Sequence, residues 1–189
     1  MNNQLNHKKR MLHRLTLAQT AFRQARRLCE HMESLEIDTK DELASSMMSG
    51  IVVSYVRPFL RSDGVGSLPK KYSTFEEDPG FERYHNILME ARHWVYAHRD
   101  NTNAPNLAGG SVSGDIVTEV TISLKKEGYS VSINEPQIGT NQLKYFKALC
   151  SYQHNRINEE VGDLIIHLMD THNLKEGVYR LADDIEKIS

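Results

Sequence analysis

Leu43-Ala44-Ser45-Ser46-Met47-Met48-Ser49-Gly50-Ile51-Val52-Val53-Ser54-Tyr55-Val56-Arg57-Pro58-Phe59 sets the fold class. Leu43, Met47, Ile51, Tyr55 and Phe59 recur at steps of four, and Ala44, Met48, Val52 and Val56 widen the same face. A stripe that broad belongs to a helix covered on most sides, so residues from about 39 to 60 are expected to form the most buried element. Asp38 with Asp41 resembles a capping arrangement at its start. Pro58 lacks a backbone donor and crowds the preceding turn, so the helix should kink or end there.

Such a helix needs partners on both sides of it in the chain. Met11, Leu15, Ala18, Phe22, Ala25, Cys29 and Met32 alternate steps of four and three, which predicts a long amphipathic helix over about 5 to 35. Phe81, Tyr84, Leu88, Ala91, Val95 and His98 predict a third helix from near Gly80. Leu143, Phe146, Cys150, Ile157, Val161, Leu164 and Leu168 predict a fourth, from a cap at Thr140 to about His172. Leu174, Val178, Leu181, Ile185 and Ile188 repeat the spacing and predict a short closing helix, with Gly177 as its weak point.

Between the helices lie two connections and one β signal. Residues 61 to 79 form a connection longer than helix bundles usually need, and the sequence assigns it no role. Residues 99 to 114 read as a loop on their Asn, Pro and Gly content. Ile116, Val120, Ile122 and Leu124 alternate with polar residues, as do Tyr129, Val131 and Ile133 after Lys126-Glu127-Gly128, which describes a hairpin within 115 to 134. The expectation is a single domain over 1–189, an antiparallel helical bundle with a hairpin inserted between its third and fourth helices.

Composition restricts the function classes. With 189 residues, 39% hydrophobic and 25% charged, the chain suits one core. Two cysteines, Cys29 and Cys150, both on apolar stripes, read as buried free thiols of a reducing compartment. No apolar run has the length of a membrane span, and the basic N-terminus lacks the apolar stretch of a signal peptide, so a cytoplasmic protein without a membrane role is expected. The net charge of −2 conceals a segregation. Residues 1 to 29 carry seven basic and no acidic side chains, whereas residues 156 to 189 carry four basic and eight acidic ones. A polyanion would meet the first segment far more readily than the last, although a solvated helix face explains it equally well.

The densest group of chemical functions is Ala91-Arg92-His93-Trp94-Val95-Tyr96-Ala97-His98-Arg99-Asp100, where the third helix gives way to the polar loop. An arginine to hold phosphate and a histidine to move a proton suffice for metal-free cleavage of RNA. On one helix, however, Arg92 and His98 stand roughly 9 Å apart along the axis and about 120° apart around it. A second copy of the helix across a two-fold axis would bring both pairs into one groove, so the chemistry calls for a homodimer.

Arg92, the polar His93, four further residues and then His98 resemble the arginine, polar residue, spacer and histidine of the HEPN superfamily. Tyr96-Ala97-His98-Arg99-Asp100 and Tyr55-Val56-Arg57-Pro58-Phe59 are similar to a subset linked to abortive infection. The resemblance spans roughly residues 5 to 175, and its motif is short. It implies an all-α dimer acting as a metal-independent endoribonuclease, often the toxin of a paired defence module, with RNA as substrate and a cognate antitoxin protein as partner. By that analogy His98 is general acid or base, Arg92 stabilises the transition state, and His93 supports one of them, without a cofactor. Tyr96, Arg99 and Arg57 are candidates for substrate contact, and each has a structural reading beside it: packing for Tyr96, loop pairing or capping for Arg99, an ion pair for Arg57. The alternative is a non-catalytic, HEPN-like dimer that binds a nucleotide or a protein; a purely structural helical scaffold is a third reading.

Other motifs fail. His98-Arg99-Asp100 copies a kinase triplet, but Pro105 stands where that loop needs asparagine. Gly109 to Gly114 lacks the lysine of a phosphate-binding loop. His85, His93 and His98 have neither the spacing nor the company of a zinc site.

Overall fold

A computed structural model describes residues 2–35, 42–61, 66–76, 78–96, 119–125, 128–134, 140–181 and 185–187, and these are mainly helical. Four helices follow in order: α1 (Asn2–Ser34), α2 (Glu42–Val56), α3 (Pro79–Tyr96) and α4 (Thr140–His172). Side-chain contacts fix how they run. Phe22 of α1 meets Tyr55 of α2 at 5.3 Å, while a Cβ on Gly50 would lie 3.0 Å from Leu28, so α1 and α2 are antiparallel. Gln19 donates to Asn158 at 2.9 Å, Lys8 meets His167 and Lys147 pairs with Glu33, which sets α4 antiparallel to α1. Phe81 lies 4.9 Å from Tyr152 and Tyr84 stacks on Tyr145 at 4.8 Å, so α3 is antiparallel to α4 and parallel to α1.

The stripes predicted from spacing are the surfaces that pack. Leu15, Ala18, Phe22, Ala25, Cys29 and Met32 of α1 close on Ile51, Val52 and Tyr55 of α2 and on Leu143, Phe146, Cys150 and Ile157 of α4. The α2 stripe is narrower than its sequence suggests, since Leu43 is 51% exposed. Conversely, Leu149 and Gln153 of α4 are buried.

The helix ends follow their chemistry. Pro58 ends α2 by tightening Arg57–Phe59 into a 3-10 turn, and its carbonyl accepts the Leu68 N–H at 2.8 Å. Asp78 caps α3, its carboxylate accepting the Gly80 N–H at 2.9 Å, with Pro79 at the first helical position, where its missing donor costs nothing. Asn173 in the left-handed region (φ 48°) ends α4, and the Leu174 N–H reaches back to the Met169 carbonyl at 2.9 Å. The expected cap at Asp38 and Asp41 lies outside the described residues.

The connection after α2, which the sequence left without a role, is part of the core. Leu68, Tyr72 and Phe75, at steps of four and three, are all buried, with Tyr72 in a 3-10 turn over Lys70–Ser73. Helix α4 binds it along one side. Gln153 donates its amide N–H to the Tyr72 carbonyl at 2.7 Å, Arg156 donates to the carbonyls of Lys71 and Thr74 at 2.8 and 3.4 Å, and the Tyr72 hydroxyl donates to Glu160.

Beyond α3, β1 (Glu119–Lys125) and β2 (Gly128–Asn134) pair antiparallel, with Val120 opposite Ile133 and Ile122 opposite Val131. The closing helix expected over 174 to 188 is not formed. Tyr179–Leu181 (β3) and Ile185–Lys187 (β4) are strands paired antiparallel. The physical reason is local. Asn173 has already ended α4, Gly177 (φ 158°) breaks any new helix, and Val178, Tyr179 and Ile185 favour extended backbone. Arg180 lies opposite Glu186, a cross-strand pair of opposite charge, and the Tyr179 hydroxyl and Lys187 ammonium bond back to the carbonyls of Lys175 and Glu176 at 2.7 and 3.0 Å.

Candidate functional site

Helix α3 carries the candidate site at its C-terminal end. Leu88 and Ala91 are buried and hold the helix against the core, and Arg92, the next residue, is half-buried. Its guanidinium Nε is buried, so the side chain lies along the margin of the packed region. His93, Trp94, Val95 and Tyr96 continue the helix, so His93 and Tyr96 both occupy its last turn. His98 and Arg99 lie outside the described residues.

Arg57 is exposed in the 3-10 turn that ends α2. That turn belongs to the opposite end of the bundle. Phe59 packs edge-on against His85 at 4.7 Å, and Arg92 stands seven residues further along α3, about 10 Å at the helical rise. One chain therefore does not bring Arg57 and Arg92 together.

A polar group that sequence reasoning passed over lies inside the bundle. His85 is only 4% exposed, and its Nδ1 lies 2.9 Å from the Tyr55 hydroxyl, itself fully buried. Phe59, Phe75 and Tyr55 enclose the imidazole, with ring centres 4.7, 5.2 and 5.8 Å away. Burial lowers the imidazole from its ordinary 6.5 to about 4, so it is neutral at neutral pH. Burial likewise raises Tyr55 well above the ordinary range of a phenol, while a hydrogen bond from Gln153 works in the other direction. The phenol and Nδ1 of His85 share one hydrogen bond, whose direction follows the imidazole tautomer. The sequence held one trace of this group: His85 follows Tyr84 on the flank of the α3 stripe, where a polar residue must find a partner.

At the surface of α4, Arg156 lies over the rings of Tyr72 and Tyr152 at 5.3 and 5.2 Å. Beside it, burial pushes the Glu160 carboxyl up, but hydrogen bonds from Lys71 and Tyr72 outweigh that and hold it below its usual value. Each donor in this cluster is committed to a loop carbonyl, a ring or a carboxylate, which makes it a fastening. Burial raises the Cys29 thiol to about 12 and Cys150 well above its ordinary value, so neither is a nucleophile near neutral pH. Among the described residues no group of three or more His, Cys, Asp or Glu side chains could hold a metal ion, and no helix is long and apolar enough to cross a membrane.

No family model, curated protein or solved structure matches this chain. What α3 offers is a cation at the edge of the core, followed within one turn by an imidazole-bearing residue and a tyrosine. An arginine in general can hold a phosphodiester oxygen pair in two-pronged geometry.

Proposed function

We propose that the protein is a HEPN-like, homodimeric, metal-independent endoribonuclease of a defence or toxin–antitoxin kind, with the β1–β2 hairpin as an insertion between α3 and α4. The observation that carries this reading is the half-buried Arg92 at the C-terminal end of a core helix, with His93 in the same turn and the His98 of the sequence motif following. In the proposed reaction the 2′-hydroxyl of a ribose attacks the adjacent phosphorus and the bond to the 5′-oxygen breaks. His98 takes the attacking proton or supplies the one the leaving oxygen needs, His93 assists, and Arg92 from each subunit binds the non-bridging oxygens as charge builds on them. Tyr96 and Arg99 would contact substrate, and Arg57 would serve a more distant phosphate.

Purified protein is expected to cut RNA in the presence of EDTA, leaving 2′,3′-cyclic phosphate ends. His98→Ala and Arg92→Ala should each lower the rate by at least about 100-fold while the dimer persists by light scattering. Undiminished cleavage by the double variant, or full activity from a monomer, would sink the proposal. The exposed cations of α1 keep a second reading in play, a non-catalytic dimer that binds nucleic acid, and salt-sensitive binding without product would select it.

A further inference from the structure

Charge and geometry coincide on the outer face of α1. Of the seven basic residues among the first 29, Lys9 is buried and Arg26 pairs with Glu30 at 3.4 Å. Arg10, Arg23 and Arg27 are exposed, and among the described residues no ion pair engages them. At 100° per residue these three fall within an arc of about 140°, on the side of α1 away from Leu15, Phe22 and Cys29. His13, Gln24 and His31, all exposed, lie in the same arc. Arg10 and Arg27 are separated by about 25 Å along the axis at the helical rise, enough to follow a run of phosphates.

Three acids of α1 and α4 are already engaged, Glu30 by Arg26 among them. Glu33 is taken by Lys147, and Glu160 by Lys71 and Tyr72. Because α1 runs parallel to α3, the strip leads from Arg10 toward the end of the bundle that carries Arg92. Leu17, 47% exposed, is the one large apolar side chain exposed along it, and no Phe, Tyr or Trp side chain is exposed there. Lacking the large Phe, Tyr and Trp faces of a stacking platform, the strip meets nucleic acid chiefly through its cations, and phosphate contacts of that kind carry no base sequence.

We infer that the outer face of α1 is a docking surface for the sugar–phosphate backbone of RNA, with Arg10, Arg23 and Arg27 as its phosphate contacts. The attraction for phosphate follows from the strip; its assignment to RNA rests on the ribonuclease reading. The probe is a fluorescent 2′-O-methyl oligonucleotide of about 20 residues, which binds but offers no 2′-hydroxyl to react, titrated by anisotropy from about 50 to 200 mM salt. Replacing the three arginines by glutamine in the full chain should reduce the slope of log affinity against log salt by about 2, since each single-strand phosphate contact contributes about 0.7. Across that range the wild-type protein then loses about 20-fold more affinity than the variant. A control triple, Arg83→Gln, Lys144→Gln and Lys175→Gln, alters exposed cations elsewhere and should retain the wild-type slope, and circular dichroism should show both triples equally helical.

An unchanged slope in the α1 triple, an equal fall in the control, or no binding at the lowest salt overturns the inference. So does binding to vesicles of anionic lipid with none to the oligonucleotide. Because the probe cannot be cut, retained binding together with inert RNA would remove the ribonuclease reading and leave the docking surface standing.

Discussion

Acidification should strike His85 before it reaches the carboxylates, and the size of the effect follows from its surroundings. In the folded protein the imidazole titrates near 4, against 6.5 ordinarily, because Tyr55, Phe59 and Phe75 shut it away from water. The unfolded chain therefore takes up a proton first as pH falls. Stability is unaffected by this group above about pH 6.5, declines between 6.5 and 4, and levels off below that. At about 1.4 kcal/mol per unit, the loss over the interval amounts to about 3 kcal/mol. Other groups titrate too, so the informative quantity is the difference between wild type and His85→Leu. At pH 7 the variant is expected to be less stable by about 1–3 kcal/mol, because the buried Tyr55 hydroxyl loses its hydrogen-bond partner. Toward pH 4.5 that difference should shrink, since leucine has nothing to protonate, and the two stabilities should approach or cross. Urea melts followed by circular dichroism at several pH values between 7 and 4.5 measure this. Parallel curves for the two proteins would refute the lowered titration of the buried imidazole.

Gln153→Leu should destabilise the fold by about 1–3 kcal/mol, because it removes the donor to the buried Tyr72 carbonyl; an unchanged urea midpoint would contradict that. Cys29 and Cys150 should resist an aromatic disulfide reagent at pH 8 in the native protein and react together once urea unfolds it, whereas rapid labelling of either thiol in the native state would show that burial does not suppress it.

Where the sequence was readable, one face of a helix met one core. The stripes through Phe22, Ile51, Leu88 and Phe146 recur every three or four residues because a single packed interior selects them, and the bundle follows from their order. The C-terminal segment defeated the same reasoning. The spacing of Leu181 and Ile185 also suits two short strands, and the stop at Asn173, the break at Gly177 and the extended preference of Val178, Tyr179 and Ile185 decide between them. Tyr72 and His85 were illegible for another reason. Each is explained by a partner far along the chain, Gln153 for one and Tyr55 for the other, and no local pattern announces such a meeting. Of the candidate site, Arg92 was visible as a motif and is placed at the end of a core helix, while the proposed convergence of two such ends would belong to an assembly that one chain does not contain.

The pairing of α1 with α4 gives synthesis on the ribosome a definite order of risk. The first helix to emerge must wait for residues 143 to 157 before its apolar side is covered, and α2 shelters only part of it meanwhile. Closing so wide a loop in the chain comes late and slowly, which leaves Leu15, Phe22 and Cys29 as the surface a nascent chain shows to chaperones, or to another unfinished copy of itself.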